Sequence, residues 1–144
     1  MAFDIYTKEL RLKKGAYELI QSLHIQGIKL GIATSNNRKL AEGTLRNNGI
    51  LDWMDAVWTA DEACAGKPAP DVYLKVAASL EVEPEYCLVF EDIPNGILAG
   101  KNAGMKVCAV EDWFSKKQEP LKRELADYYI QDFDDVKNKS YEVL

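Results

Sequence analysis

The sequence predicts an α/β fold, three layers deep, with a parallel sheet between two sets of helices. Three observations carry this. Short apolar runs at Ile28–Ala33, Ala56–Thr59, Cys87–Phe90 and Lys106–Val110 alternate with longer segments whose apolar residues recur at spacings of three and four. Continuous apolar runs suit strands covered on both faces, whereas spacings of three and four suit helices with one buried face. Glycines at positions 27, 49 and 104 close the helical segments, as helix C-termini require. Strands that alternate with helices of ten or more residues pair in parallel through crossover connections.

In chain order, Ala2 to Leu10 reads as helical, with Phe3, Tyr6 and Leu10 at helical spacing, and Arg11 to Gly15 reads as a basic connector. Ala16, Leu19, Ile20 and Leu23 define an amphipathic helix. The strand at Ile28 delivers Thr34, Ser35 and Asn36 to its carboxyl end, and the next helix turns Leu40 and Leu45 inward. After the strand Ala56–Thr59, a loop from Asp61 to Pro70 carries two prolines that exclude helix before Asp71. The following helix presents Tyr73, Val76, Ala77 and Leu80 on one face. The strand at Cys87 ends in two adjacent carboxylates, Glu91 and Asp92, and Pro94 opens a helix running to Gly104. Beyond the strand Lys106–Val110, Ser115 is placed to cap a helix through Ala126, and Tyr128–Ile130 is a short terminal strand before an acidic tail.

With 144 residues, 47% apolar and 28% charged, the chain has the makings of one globular domain. A net charge of −5 gives no electrostatic footprint for nucleic acid or an anionic membrane. No apolar run approaches membrane-spanning length, and no signal-peptide core stands at the N-terminus. The three cysteines lack metal-knuckle spacing and read as reduced core residues of a cytoplasmic protein. With His24 as the only histidine, a histidine triad or multi-histidine metal centre is excluded within one chain.

Three loops are expected to converge at the carboxyl edge of the sheet, where open α/β folds bind ligands. Thr34, Ser35 and Asn36 offer hydroxyls and backbone N–H groups beside a helix N-terminus, a cradle for phosphate oxygens. Lys67 offers a cation beside prolines, and Glu91 with Asp92 offers hard oxygen ligands suited to Mg²⁺. Each part has a plainer alternative. Thr34 or Ser35 serves equally as a helix cap, and a lysine before proline is ordinarily solvated. Together they are the parts that bind a phosphoryl group and neutralise its developing charge.

Leu30-Gly31-Ile32-Ala33-Thr34-Ser35-Asn36, Gly66-Lys67-Pro68-Ala69-Pro70-Asp71, and Val89-Phe90-Glu91-Asp92 with Gly96 and Ala103-Gly104-Met105 resemble, in this order, the second, third and fourth motifs of the haloacid dehalogenase superfamily. The nearest resemblance is to its β-phosphoglucomutase-like branch of phosphatases and phosphomutases. The resemblance implies a Rossmann-like core and a Mg²⁺-dependent hydrolase or mutase acting on a small phosphorylated metabolite through an aspartyl-phosphate. It implies that Thr34 hydrogen-bonds the phosphoryl group, that Lys67 pairs with nucleophile and phosphate, that Ser35 and Asn36 touch phosphate or substrate, and that Glu91 and Asp92 position Mg²⁺. Ile93 stands where the family commonly has serine.

The family's first motif is Asp-x-Asp at the end of a first strand. Phe3-Asp4-Ile5-Tyr6-Thr7 echoes it, with Tyr6 in place of the acid/base and no preceding apolar strand. Residues 1–14 therefore read as the remnant of a helical cap, Asp4 as a helix residue, and 15–144 as a core missing its first strand. Two expectations follow. The chain alone lacks the nucleophile and is inactive as written, as a truncated or degenerate relative would be; the alternative function is a non-catalytic phosphate- and metal-binding or assembly module. The missing central strand would leave unpaired backbone groups, so the gap closes by direct pairing of its neighbours, by a homodimer partner or by strand exchange. A receiver-like fold is the remaining alternative, but Asp92 and Lys106 do not fit its phosphoacceptor and lysine positions.

Overall fold

The computed structural model describes the backbone of Ala2–Phe3 and all of residues 12–144. Seven strands form one sheet. They are β1 (Ala2–Phe3), β2 (Gly31–Thr34), β3 (Ala56–Thr59), β4 (Leu88–Glu91), β5 (Lys106–Val110), β6 (Tyr128–Ile130) and β7 (Glu142–Val143). Their order is β3-β2-β1-β4-β5-β6-β7, parallel except for the antiparallel β6–β7 pair. The helices are α1 (Ala16–Ile25), α2 (Arg38–Asn47), α3 (Asp71–Leu80), α4 (Pro94–Asn102), α5 (Glu119–Leu125) and α6 (Asp134–Lys137). A single short turn of 3₁₀ helix covers Leu51–Trp53 and another Pro84–Tyr86, and a longer one spans Trp113–Gln118.

The two faces of the sheet pack separate cores, as alternation along each strand dictates. On one face Val89, Val107 and Ala109 meet Val72, Tyr73 and Val76 of α3 and Ile97 and Ala99 of α4. On the other, Ile32, Phe90, Cys108 and Ile130 meet Ala16, Ile20 and Leu23 of α1 and Leu45 of α2. Helix α4 lies close against the sheet because Gly96 and Gly100 face it. A Cβ at Gly100 would stand 2.7 Å from Val107 Cγ2.

Several expectations need correction. The sheet has no central gap. Ala2 pairs with Gly31 on one side and Val89 on the other, and Phe3 with Ile32 and Phe90. The chain's own β1 thus takes the place expected to need direct pairing, a partner or strand exchange. Two residues are too few to show period-two alternation, and the helical spacing that Phe3 shares with Tyr6 concealed the strand. Asp4 and the rest of the expected cap helix lie outside the described residues.

Leu40, expected inward, is exposed; α2 buries Ala41, Thr44 and Leu45 instead. Ser115 is not a cap. Asp112 caps the 3₁₀ turn by accepting from Phe114 N at 2.8 Å, and α5 starts only at Glu119. The tail is structured by α6 and β7. Of the cysteines, Cys87 and Cys108 are buried, with burial pushing the Cys108 thiol up to about 12, but Cys64 is exposed. His24 stacks on Trp53 with ring centroids 5.5 Å apart. Among the described residues no helix is long and apolar enough to cross a membrane.

Candidate functional site

The register of β1 sets the heights of the flanking loops. Phe3 pairs with Ile32 of β2 and Phe90 of β4, so Thr34 and Asp92, each two residues further on, reach the same level of the carboxyl edge. With β1 between them, β2 and β4 stand two strand spacings apart, roughly 10 Å. That is room for a phosphate-sized group and its cation.

Thr34 ends β2. Its carbonyl accepts from Ala60 N at 2.9 Å, and its buried hydroxyl accepts from Asn36 N at 3.1 Å. The hydroxyl is thereby fixed at the start of the loop into α2. The capping alternative belongs to neither Thr34 nor Ser35, because Asn37 Oδ1 accepts from Leu40 N at 2.8 Å. Ser35 is exposed and Asn36 half-buried beside it. Helix α2 is held by Arg38, which donates to both Glu62 oxygens, to Glu42 and to Val57 O. The Arg38 guanidinium holds the Glu62 carboxyl down at about 2.

Lys67 is not a solvated loop residue. Its Nζ lies 3.1 Å from Glu91 Oε1, with the two side chains only 4% and 0% exposed, and 5.0 Å from the centroid of the buried Tyr73 ring. The loop that carries it is tied to the body by Asn102 Nδ2, which donates to Pro68 O at 3.1 Å, and by Lys75 Nζ, which donates to Glu62 O at 3.0 Å. A buried ion pair needs close geometry to offset desolvation, and the absent side chain of Gly96 provides it. A Cβ there would lie 2.7 Å from Glu91 Oε1 and closer still to Oε2 and Cδ.

The two adjacent carboxylates part company, as successive residues on a strand do. Glu91 turns to Lys67, whereas Asp92 turns to a second cluster. Lys13 Nζ sits 3.2 Å from Asp92 Oδ2 and 2.9 Å from Asp112 Oδ2. The backbone beneath is braced by Ser115 Oγ, which donates to Asp92 O at 2.7 Å. The buried Lys122 in turn donates to Ser115 Oγ at 3.0 Å and to Val110 O at 2.7 Å. Burial pushes the Asp112 carboxyl up, but the Asp92 carboxyl, the Lys13 ammonium and the Phe114 N–H outweigh it and hold it at about 2. Burial lowers the Lys122 ammonium.

Asp112, Ser115, Lys122 and Lys13 complete the site and are absent from the sequence-based set. Asp112 had a usable signal, since it lies two residues past the end of β5 at the same carboxyl edge. Lys13 and Lys122 had none, because their contacts depend on how a connector and a helix pack. Among the described residues no three His, Cys, Asp or Glu side chains gather closely enough to hold a metal by themselves. The donor set nonetheless fits Mg²⁺, which binds through one or two carboxylates and keeps several waters. Asp92 and Asp112 supply two such carboxylates, drawn to one positive charge.

The chain as a whole has relatives among known proteins. The validoxylamine A 7'-phosphate phosphatase of Streptomyces hygroscopicus subsp. limoneus is 44% identical over 91 residues, which are 63% of this chain and 43% of that protein. The crystal structure of CbbY from Rhodobacter sphaeroides in complex with phosphate superposes with a TM-score of 0.78 at 26% identity, over 87% of this chain and 56% of that one. The β-phosphoglucomutase of Clostridium difficile gives 0.74 at 26% identity, over 90% and 54%. The chain thus spans less than two thirds of each. Residues 3–110, from the central strand to the end of β5 and through all three site loops, match the haloacid dehalogenase-like hydrolase family, and the chain belongs to that family.

Proposed function

We propose that this chain carries the phosphate- and cation-binding part of a phosphatase-type site for a small phosphorylated metabolite. The observation that carries the reading is the Lys67–Glu91 pair, buried at the edge where Thr34 and Asp92 end at one height. The Thr34 hydroxyl, which accepts from Asn36 N and so turns its own hydrogen outward, takes a phosphate oxygen together with the backbone N–H of Ser35 and the side chain of Asn36, and Lys67 supplies the fixed positive charge opposite them. Glu91 holds Lys67 in place. Asp92, with Asp112 beside it, would hold Mg²⁺, which when bound supplies further positive charge to the phosphate oxygens. That relatives are phosphatases, and that CbbY was solved with phosphate, supports this assignment.

Inorganic phosphate tests it. Ligand binding to the folded state raises Tm, so phosphate with Mg²⁺ should stabilise the protein, and Thr34→Val, nearly isosteric, should abolish the phosphate-dependent part. No stabilisation of the unaltered chain, or an undiminished one in Thr34→Val, would refute the reading.

The position of β1 favours a second reading, in which the site also turns over. Asp4 follows Phe3 in the sequence and lies outside the described residues. In this reading its carboxylate attacks phosphorus, the bond to the leaving oxygen breaks, and water then cleaves the acyl phosphate. Mg²⁺-dependent hydrolysis of p-nitrophenyl phosphate that vanishes in Asp4→Asn would support turnover. Absence of hydrolysis in the unaltered chain would leave a binding module, the alternative the sequence raised.

A further inference from the structure

We propose that Lys13 is a built-in counter-cation that occupies the divalent-cation position between Asp92 and Asp112 and must leave before a metal ion can bind. The inference rests on the reading of Asp92 as a cation ligand.

Three oxygens surround the Lys13 ammonium: Asp112 Oδ2 at 2.9 Å, Asp92 Oδ2 at 3.2 Å and the Glu111 carbonyl at 3.3 Å. An ammonium has three N–H donors, so the shell matches its valence. The carboxylates are the buried partners, with 5% and 12% of their side chains exposed. Two such carboxylates facing one another repel when both are ionised, and a shared proton or a cation between them relieves this; Lys13 places a cation there.

The parts differ in how firmly they are held. Phe114 N donates to Asp112 Oδ1 at 2.8 Å, and the Ser115 hydroxyl, itself held by Lys122, donates to Asp92 O. The first bond fixes the Asp112 carboxylate, and the second braces the backbone that carries Asp92. Lys13 comes instead from the connector before α1, whose N-cap Gly15 has a left-handed backbone and no side-chain capping bond, and its side chain is 27% exposed. Asp112 and the Asp92 backbone are thus held in place, whereas the long, part-exposed Lys13 side chain is the element able to swing away, although its backbone is tied by Ala16 N donating to Lys13 O. A divalent ion gains both carboxylates only after the ammonium swings out. The apparent affinity is then reduced by the fraction of molecules in the lysine-out state.

Mn²⁺, followed by electron paramagnetic resonance and isothermal titration calorimetry, provides the test without any need for turnover. Lys13→Gln, whose folding is checked by circular dichroism, is expected to bind Mn²⁺ roughly tenfold more tightly than the unaltered chain, the gain expected when a competing cation is removed. Adding Asp112→Asn to that variant should reverse the gain. Equal Mn²⁺ affinity with and without Lys13 would overturn the counter-cation role while leaving the cation reading intact. Binding by neither protein would overturn the cation reading itself, and this inference with it. A gain that survives Asp112→Asn would remove Asp112 from the proposal.

Discussion

The same substitution, glycine to alanine, should have opposite effects at two helical positions of this chain. In α2, a Cβ at Gly43 meets nothing within 4 Å. Alanine there gains about 0.5–1 kcal/mol from helix propensity and reduced unfolded-state entropy. In α4, a Cβ at Gly96 collides with the Glu91 carboxylate. Helix propensity still favours alanine by about 1 kcal/mol. Against that, forcing a methyl into a packed site costs about 1–3 kcal/mol. Moving Glu91 off Lys67 also leaves buried charges without their ion pair, which costs about 3–5 kcal/mol when complete. Because Glu91 shifts only partly, the expected net loss is about 2–4 kcal/mol. Urea unfolding followed by circular dichroism measures both variants. A Glu91→Ala background sharpens the comparison: with no carboxylate to displace, Gly96→Ala should cost little there, giving a coupling energy of about 2 kcal/mol or more. Equal stabilisation by Gly43→Ala and Gly96→Ala would refute the tight Gly96–Glu91–Lys67 packing on which the site depends.

Other perturbations have equally definite outcomes. Lys67→Met should destabilise the fold by about 3–5 kcal/mol because Glu91 is left buried without its cation, and Lys67→Met/Glu91→Met should recover most of that loss in the same unfolding assay. The Arg38–Glu62 pair sets an acid limit. The Glu62 carboxyl sits at about 2 when folded against an ordinary 4.5, so its stabilisation is complete above the higher value and lost as pH falls through the lower. Both side chains are about one-third exposed, and solvent screening limits the effect to about 1 kcal/mol. The difference in stability between the unaltered chain and Glu62→Gln should therefore shrink from pH 5 to pH 2; a constant difference would contradict it. Lys122→Met should cost about 1–3 kcal/mol, since Val110 O and Ser115 Oγ lose a buried donor, and thermal unfolding reads this directly.

What was legible in the sequence follows from the kind of signal each element carries. The strands at Gly31, Leu88 and Lys106 announced themselves because fully covered strands must be apolar throughout. Lys67 and Glu91 were placed at one edge by the sheet rule alone. Their burial against each other was not visible, because it depends on Gly96 leaving room. Sequence adjacency paired Glu91 with Asp92, yet strand geometry sends neighbours opposite ways, and each found a different lysine. Leu40 fitted a helical spacing that the real face of α2, through Ala41, Thr44 and Leu45, does not use. The brief strand Ala2–Phe3 is specified less by its own residues than by the unmet backbone hydrogen bonds of β2 and β4 on either side.

The central claim is that Thr34, Lys67 and Asp92 border one pocket for an anion and its cation. Amide chemical shifts recorded by NMR while inorganic phosphate is titrated in the presence of Mg²⁺ test it most directly. The account predicts that Thr34, Ser35, Asn36, Lys67, Asp92 and Ile93 shift together along one saturating isotherm, with Thr34→Val removing the response. Shifts scattered over α1 and α3, or separate isotherms for the β2 and β4 loops, would contradict it.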